Sequence, residues 1–236
     1  MSKTIPEKAE HIITWLKNTL QDSKRRGFII GMSGGVDSAL AGVLASRASY
    51  VKAFIMPCYS DTDDISRARN LCKKFNIEYR TIYLDNIYDE LINLYGDADI
   101  LTRSNLKARL RMLTLYYHAN KEGLLVVGTG NKTEITLGYF TKYGDGGADI
   151  LPIADLYKGE VWEMARYMEI PEEIINMPPS AGLWPGQTDE GELGFKYSFL
   201  DNYLRNRKVI EKNDQIEKMI ENAKHKNGPL RCIIPE

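Results

Sequence analysis

The chain alternates short apolar runs with longer segments in which apolar residues recur at helical spacing. Ile12, Ile13, Leu16 and Leu20 share one face of residues 6–22, which predicts an amphipathic helix. The apolar runs predict buried parallel strands at residues 28–32, 51–56, 77–84 and 124–128. The segments between them predict helices at 36–47, 61–75 and 103–121. This alternation predicts an α/β fold, a doubly wound, Rossmann-like parallel sheet with helices on both faces.

The pattern changes after residue 128. Residues 138–149 contain four glycines and few apolar residues, which predicts a mobile loop at an active site. Prolines and a glycine at Pro178, Pro179, Pro185 and Gly186 predict a second loop at 177–194. Charges then alternate at helical spacing from Asp201 to Lys226, mostly as a solvated face, so a helical C-terminal part is expected at about 195–236. Residues 1–236 are expected to form a single domain.

The net charge and the cysteine content of the chain argue against several classes of function. Lys and Arg total 31, and Asp and Glu total 32, so the chain lacks the basic surface of a nucleic-acid binder. The three cysteines form no C-x-x-C pair, which argues against a disulfide framework and a thiolate zinc site. The N-terminus lacks the apolar core of a signal peptide, and no apolar run approaches membrane-spanning length. These features predict a cytoplasmic protein without nucleic-acid or membrane partners.

A glycine-rich segment, GMSGGVDS, lies between the first strand and the following helix, where α/β sheets bind nucleotides. The predicted phosphate loop comprises Gly31, Met32, Ser33, Gly34, Gly35, Val36, Asp37 and Ser38. Its backbone amides can form an anion-binding nest, and the helix N-terminus adds positive potential. Asp37 is unexpected beside an anion unless a divalent cation lies between them. The alternative is a simple strand-to-helix turn in which Asp37 caps the helix. The segment does not match the Walker motif.

A second cluster follows the fourth strand, in GTGNKTE at 128–134. Glu134 is expected to begin a helix on the same edge of the sheet as Asp37, and two carboxylates there can hold Mg²⁺ against a triphosphate. The alternative is a glutamate placed only to suit the helix dipole. Lys142 and Asp149 flank the glycines of the first loop, so closure can bring both to a substrate.

Three cations lie on the predicted helix at 103–121. Lys107 and Arg111 share a face, and Arg109 points elsewhere; in isolation all three are expected to be solvated. Lys158 opens a later helix, where a cation opposes the helix dipole, and a phosphate contact would explain it.

The S-G-G-x-D-S segment resembles the pyrophosphatase-loop superfamily, whose members adenylate a substrate and release pyrophosphate. Six blocks together resemble the ammonia-dependent NAD synthetase family: GMSGGVDS, NLKARLR, GTGNKTE, TKYGDGGADILP, AGLWPGQTDEGELG and His225-Lys226. The resemblance implies an adenine nucleotide alpha-hydrolase-like fold and a cytoplasmic homodimer. It also implies a ligase that converts deamido-NAD, ATP and ammonia to NAD, AMP and pyrophosphate through an acyl-adenylate.

The resemblance implies roles for individual residues. Gly31–Ser38, Thr129, Lys158 and Ser180 match ATP-binding positions, although Ser180 falls where a threonine often stands. The positions that match deamido-NAD contacts are Arg109, Lys142, Asp149, His225 and Lys226. Asp37 and Glu134 match Mg²⁺ ligands, and with Lys142 they are the predicted catalytic residues. For His225 and Lys226 the alternative is an exposed helix end.

Other functions remain open at this point. Glutamine-dependent relatives carry a fused amidohydrolase domain, and about thirty residues before the phosphate loop are too few for one. Free ammonia is therefore expected, with a separate glutaminase subunit as an alternative. The competing functions are another adenylating ligase of the superfamily and a non-catalytic ATP-binding sensor. Because adenylation needs no side-chain nucleophile, His11, His118 and His225 are expected to be structural or to contact substrate.

Overall fold

A computed structural model describes residues 3–180, 182, 184 and 186–228. In this part of the chain four strands form one parallel sheet in the order β3-β2-β1-β4. The strands are β1 (Phe28–Gly31), β2 (Val51–Ile55), β3 (Glu78–Thr81) and β4 (Leu125–Val127). Phe28 on β1 pairs with Val51 on one side and Leu125 on the other. The strand order reverses between β1 and β4, so a crevice is expected at the carboxyl ends of these two strands.

Helices cover both faces of the sheet, which confirms the predicted doubly wound α/β fold. They are α1 (Ile5–Ser23), α2 (Val36–Ala48), α3 (Thr62–Lys74), α4 (Asp85–Tyr95), α5 (Ile100–Glu122), α6 (Lys132–Leu137), α7 (Lys158–Tyr167), α8 (Glu172–Ile175), α9 (Asp189–Leu193), α10 (Tyr197–Asn206) and α11 (Asp214–Asn227). One hydrophobic core joins the sheet to α1, α2, α3, α7 and α8, and a second joins it to α4 and α5. None of the described helices has the length and apolar character needed to cross a membrane.

The element boundaries differ from the predictions mainly around β3. The strand predicted at 77–84 is regular only over Glu78–Thr81, although Ile82 and Leu84 still donate backbone hydrogen bonds to the chain at the end of β2. No element was predicted for Asp85–Tyr95, which forms α4. Helix α5 begins at Ile100, before the predicted residue 103, because Asp99 caps it by accepting a hydrogen bond from the Thr102 amide at 2.7 Å.

The C-terminal part is helical, as predicted, and part of it is buried rather than solvated. Tyr197, Leu200 and Tyr203 of α10 are buried in a third hydrophobic core with Leu137 of α6. The C-terminal helices therefore pack directly behind the helix that carries Glu134. Residues 229–236 of the predicted helical part lie outside the described residues, as do Ala181, Leu183 and Pro185 of the AGLWPGQTDEGELG block.

Candidate active site at the carboxyl edge of the sheet

The predicted phosphate loop connects β1 to α2 and is closed by its two serines. The Ser33 amide donates to Ser38 Oγ at 3.2 Å, and the two hydroxyl oxygens lie 3.0 Å apart. The Gly35 amide donates to Ser33 Oγ at 3.2 Å. Gly35 is the N-cap of α2 and supplies no side-chain cap, so the alternative in which Asp37 caps this helix is wrong. The first turn of α2 thus presents backbone amides and its dipole to the crevice, as an anion site requires.

Gly34 is required by the shape of this loop. Its φ is +92°, and a Cβ built on it would lie 2.5 Å from the backbone oxygen of Asp64. We expect Gly34→Ala to raise the KM for ATP at least about tenfold, because positive φ alone costs about 1–2 kcal/mol and the loop must also shift. Gly35→Ala is the matched control, since its Cβ would meet Ser33 Oγ at an ordinary 3.5 Å. Equal ATP kinetics in the two variants would contradict this prediction.

A buried lysine joins the two predicted metal ligands. Lys158 Nζ lies 2.5 Å from Asp37 Oδ2 and 3.1 Å from Glu134 Oε1, and Lys158 is only 1% exposed. Asp37 is in the first turn of α2, Glu134 in that of α6, and Lys158 is the first residue of α7. The structure therefore brings these three sequence-predicted residues together. Contact with two carboxylates explains why a lysine occupies an unfavourable position at a helix N-terminus.

Burial and charge perturb the acid–base properties of this group. Burial, reinforced by the charge of Asp37, raises the pKa of Glu134 to about 8 against the opposing effect of Lys158. Burial alone would lower the pKa of Lys158, but Asp37 and Glu134 outweigh it and raise this pKa above its ordinary value. Two carboxyl groups thus face one ammonium group, and a further cation bound beside them would favour the ionised form of Glu134.

Asn131 holds the carboxylates of Asp37 and Glu134 in a fixed arrangement. This role was not predicted from the sequence. Its Nδ2 donates to Asp37 Oδ1 at 2.9 Å, and its Oδ1 accepts from the Glu134 amide at 3.0 Å. The Asn131 amide donates to Glu134 Oε2 at 3.2 Å, which completes a capping box. The N-x-x-E spacing of Asn131 and Glu134 is the sequence signal that could have revealed this role.

The loop at 138–149 brings together three of the residues predicted to contact deamido-NAD. Arg109 Nη2 donates to the Lys142 carbonyl at 3.3 Å, and Lys142 Nζ donates to the His225 carbonyl at 2.5 Å. The loop itself is a hydrogen-bonded turn, in which the Thr141 amide donates to Asp145 Oδ1 at 2.9 Å. Its mobility stays a prediction.

Asp149 and Lys226 lie in the same region but make structural contacts. Asp149 Oδ2 accepts from the Val126 amide at 2.8 Å, and its Oδ1 accepts from the Tyr116 hydroxyl at 3.1 Å. Lys226 Nζ donates to the carbonyls of Gly138 and Phe140, both at 2.7 Å. These contacts anchor the two ends of the loop. Substrate contact by either residue stays a prediction.

Two predicted ATP contacts lie outside the acid–lysine group. Thr129 is half-buried two residues after the end of β4, at the carboxyl edge of the sheet. Ser180 is exposed, and its Oγ accepts from the Gly182 amide at 3.1 Å. ATP contact by either residue remains a prediction.

The expectation that all three cations of α5 are solvated is wrong for two of them. Lys107 is 8% exposed, and its Nζ lies 5.7 Å from the Tyr59 ring and 5.4 Å from the Tyr88 ring. Arg111 Nε donates to the Met56 carbonyl at 3.1 Å. These two side chains face α4 and the loop after β2, which cover them. Arg109 points the other way and is exposed, as its helical spacing predicts.

Comparison with known proteins is consistent with this geometry. The family model described as NAD synthase matches residues 8–233. The NH(3)-dependent NAD(+) synthetase of Carboxydothermus hydrogenoformans is 45% identical over 228 residues, which cover 93% of this chain and 94% of that protein.

Solved structures are similar over almost the whole chain. An NMN synthetase from Francisella tularensis has a TM-score of 0.94 and 36% identity, with 98% of this chain and 99% of that chain covered. An NH3-dependent NAD synthetase from Campylobacter jejuni has a TM-score of 0.82 and 29% identity, with 99% and 100% covered. These matches confirm the resemblance carried by the six sequence blocks and the predicted fold. The chain therefore belongs to the NAD synthase family.

Proposed function

We propose that this chain is an ammonia-dependent NAD synthetase, a ligase that amidates deamido-NAD and converts ATP to AMP and pyrophosphate. The observation that carries the proposal is the convergence of Asp37, Glu134 and Lys158 beside the phosphate loop, in a member of this family. A site that splits a triphosphate needs anion-binding amides and cations close to them. Both are present at the carboxyl edge between β1 and β4.

The reaction has two steps. A carboxylate oxygen of the nicotinate attacks the α-phosphorus of ATP, the bond to the β-phosphate oxygen breaks, and pyrophosphate leaves with the electron pair. The nitrogen of ammonia then attacks the activated carbonyl carbon and loses a proton, and AMP leaves. The protein positions the two substrates and stabilises charge on the phosphates, with the amides of Gly31–Ser38 and the ammonium of Lys158 nearest to them.

Magnesium fits the residues at this site. Asp37 and Glu134 contact the same ammonium group, and carboxylate oxygens are the ligands that Mg²⁺ prefers. A cation bound beside Glu134 would favour its ionised form. In the described residues no group of three or more His, Cys, Asp or Glu side chains is arranged to hold a metal, so we expect the phosphates of ATP to complete the coordination. Bound there, Mg²⁺ would neutralise the developing charge on pyrophosphate.

A second molecule is a candidate for the substrate whose carboxylate is amidated. The Francisella tularensis structure with a TM-score of 0.94 is an NMN synthetase, so nicotinate mononucleotide is an alternative substrate for this chain. The two acceptors share the reacting carboxylate and differ in the adenylate half. Relative kcat/KM for the two substrates decides between them, because the acceptor with the higher value makes the stronger transition-state contacts.

A homodimer is part of the proposal. Helix α5, which carries Arg109, exposes a set of large apolar side chains: Ile100, Leu101, Leu113 and Tyr117. Exposed large apolar side chains such as these are available to pack against a second copy of the chain. A mass of about twice 26.8 kDa by light scattering would support the dimer, and a monomer at assay concentration would contradict it.

We place the reaction in the cytoplasm. Cys58 and Cys72 are buried free thiols, which suit a reducing compartment. Burial raises the pKa of Cys72 to about 12, so this thiol stays protonated and unreactive. Cys232 lies outside the described residues.

The deciding experiment incubates purified protein with Mg-ATP and each acceptor, with either ammonium or glutamine, and measures AMP and the amidated product. We expect product with ammonium alone. If product formed only with glutamine, the result would contradict the proposal that free ammonia is the nitrogen donor. ATP binding without AMP formation under any condition would favour the sensor, and AMP formed only with an unrelated carboxylate would favour another adenylating ligase.

Lys142 provides a test of the acceptor site. Because the Lys142 ammonium lies on the His225 carbonyl, among the residues predicted to contact deamido-NAD, we expect Lys142→Ala to raise the KM for deamido-NAD at least about tenfold, the effect of about 1.4 kcal/mol. The KM for ATP should change little. Steady-state kinetics with each substrate varied in turn measures both values. Lys196→Ala, which removes an exposed lysine from the N-cap of α10, is the control. A defect confined to ATP would assign the loop to the other substrate.

A further inference from the structure

We infer that Asp201 is a positioning residue that fixes Glu134 and Lys158 relative to each other. Asp201 lies on α10 and is 7% exposed. Its Oδ1 accepts from the Thr133 hydroxyl at 2.6 Å, and its Oδ2 accepts from the Gly159 amide at 2.7 Å. The inference rests on the proposed function, since it assigns a role within that active site.

Each partner of Asp201 is the chain neighbour of a site residue. Thr133 precedes Glu134 in the first turn of α6, and Gly159 follows Lys158 in the first turn of α7. Both helices begin at the carboxyl edge, but they are separated in the chain by the loop at 138–149. One carboxylate with both oxygens engaged therefore bridges the two helix N-termini, which one backbone hydrogen bond, from the Lys132 amide to the Leu156 carbonyl at 2.8 Å, also connects.

The Thr133 hydroxyl makes the connection continuous. Thr133 is fully buried, and its Oγ1 accepts from the Lys158 amide at 3.2 Å while donating to Asp201. The hydrogen bonds thus form a closed path from α6 to α7 through α10. A shift of either helix would break at least one bond in a place that water reaches poorly, where an unsatisfied polar group is costly.

Attachment of α10 does not require this carboxylate. Tyr197, Leu200 and Tyr203 already pack in the hydrophobic core with α6, so α10 is held by apolar contacts. A buried carboxylate carries a desolvation cost that a neutral residue would avoid. We therefore infer that the carboxylate of Asp201 serves to hold Glu134 and Lys158 in position. In an active site a displacement of about 1 Å can reduce the rate about 100-fold.

The test compares Asp201→Asn, Thr133→Val and Thr133→Ser with the wild type in the NAD-forming reaction. Asparagine keeps the shape of Asp201 but presents an amide NH₂ to one of the two donors, and valine keeps the shape of Thr133 without its hydroxyl. We expect kcat to fall about 10- to 100-fold in Asp201→Asn and Thr133→Val, with the KM for ATP changed less than about threefold. Thr133→Ser should keep near-normal kcat.

The double variant Thr133→Val/Asp201→Asn should lose little more activity than either single variant, because both changes break the same path. Asp155→Asn is the control, since Asp155 forms an exposed ion pair with Lys132 of α6. A folded Asp201→Asn with kcat within about twofold of wild type would overturn the inference. If Asp201→Asn does not fold, the Thr133 pair decides, and equal losses in valine and serine variants would also overturn it. A wild type that forms no NAD overturns the proposed function itself and this inference with it.

Discussion

Replacement of Lys158 by methionine is expected to reduce NAD formation about 100- to 1,000-fold, the largest effect of any single change outside the metal ligands. Methionine is close in length to the buried stem of lysine but lacks the ammonium that contacts Asp37 at 2.5 Å and Glu134 at 3.1 Å. Removing one preorganised group that stabilises charge in a transition state costs about 100- to 1,000-fold in kcat. The two carboxylates would then face each other, and the phosphates would lose their nearest buried cation.

The variant should also respond differently to pH. The pKa of Glu134 is raised to about 8 from an ordinary 4.5, so the folded protein binds a proton there more tightly than the unfolded chain does. Stability from this group is present below pH 4.5 and is lost as the pH rises through 8. Loss of the Lys158 charge raises this pKa further, so the thermal stability of Lys158→Met should fall more steeply than that of wild type over this pH range.

Lys132→Met is the matched control, because Lys132 begins α6 and pairs with Asp155 at the surface. We expect wild-type kcat and an unchanged pH response, since exposed ion pairs contribute about 0–1 kcal/mol. Steady-state kinetics at saturating ATP and melting curves from pH 5 to pH 9 supply the comparison. If Lys158→Met kept more than about a tenth of wild-type kcat, the ammonium would act only in folding.

The sequence alone identifies the sheet and the neighbourhood of Asp37 and Glu134 because both rest on local rules. Apolar runs indicate the strands, and the carboxyl ends of parallel strands meet at one edge. That rule places a carboxylate after β1 near one after β4, and their shared contact with Lys158 confirms the placement. For Lys158 the sequence offered one indication only: a lysine in the first turn of a helix is unfavourable, which suggested a contact with a charged group.

Contacts between distant segments were not predictable in this way. Asp201 binds Thr133 across 68 positions of the chain, and no periodicity or spacing links the two. In the sequence nothing distinguishes Lys107 from a surface lysine. It is buried because Tyr59 and Tyr88, from other segments, cover it. Helix α4, which contributes Tyr88, was itself missed, since its apolar residues include the exposed Leu94 as well as buried positions. Such features depend on which elements pack together, which the tertiary fold decides.

Asp37→Asn and Glu134→Gln are expected to abolish turnover, with kcat reduced at least about 1,000-fold. Asp37 is partly exposed at the crevice and lies outside the hydrophobic cores, so the fold should persist. The amide keeps the shape of the side chain and removes the charge that Mg²⁺ needs. Metal stabilisation of a phosphoryl transition state contributes several kcal/mol, which corresponds to this loss. Asp63→Asn is the control, because Asp63 is an exposed acid in the first turn of α3.

The measurement that separates a metal ligand from a partner of Lys158 is the Mg²⁺ concentration that gives half-maximal rate. If Asp37 and Glu134 hold the metal, both variants should require at least about tenfold more Mg²⁺, the effect of about 1.4 kcal/mol in binding, for whatever residual rate they show. Lys158→Met should lose rate without needing more Mg²⁺, because it removes a cation and leaves both ligands in place. An unchanged Mg²⁺ requirement in Asp37→Asn, or near-normal activity, would reject the metal assignment and leave the carboxylates as supports for the ammonium alone.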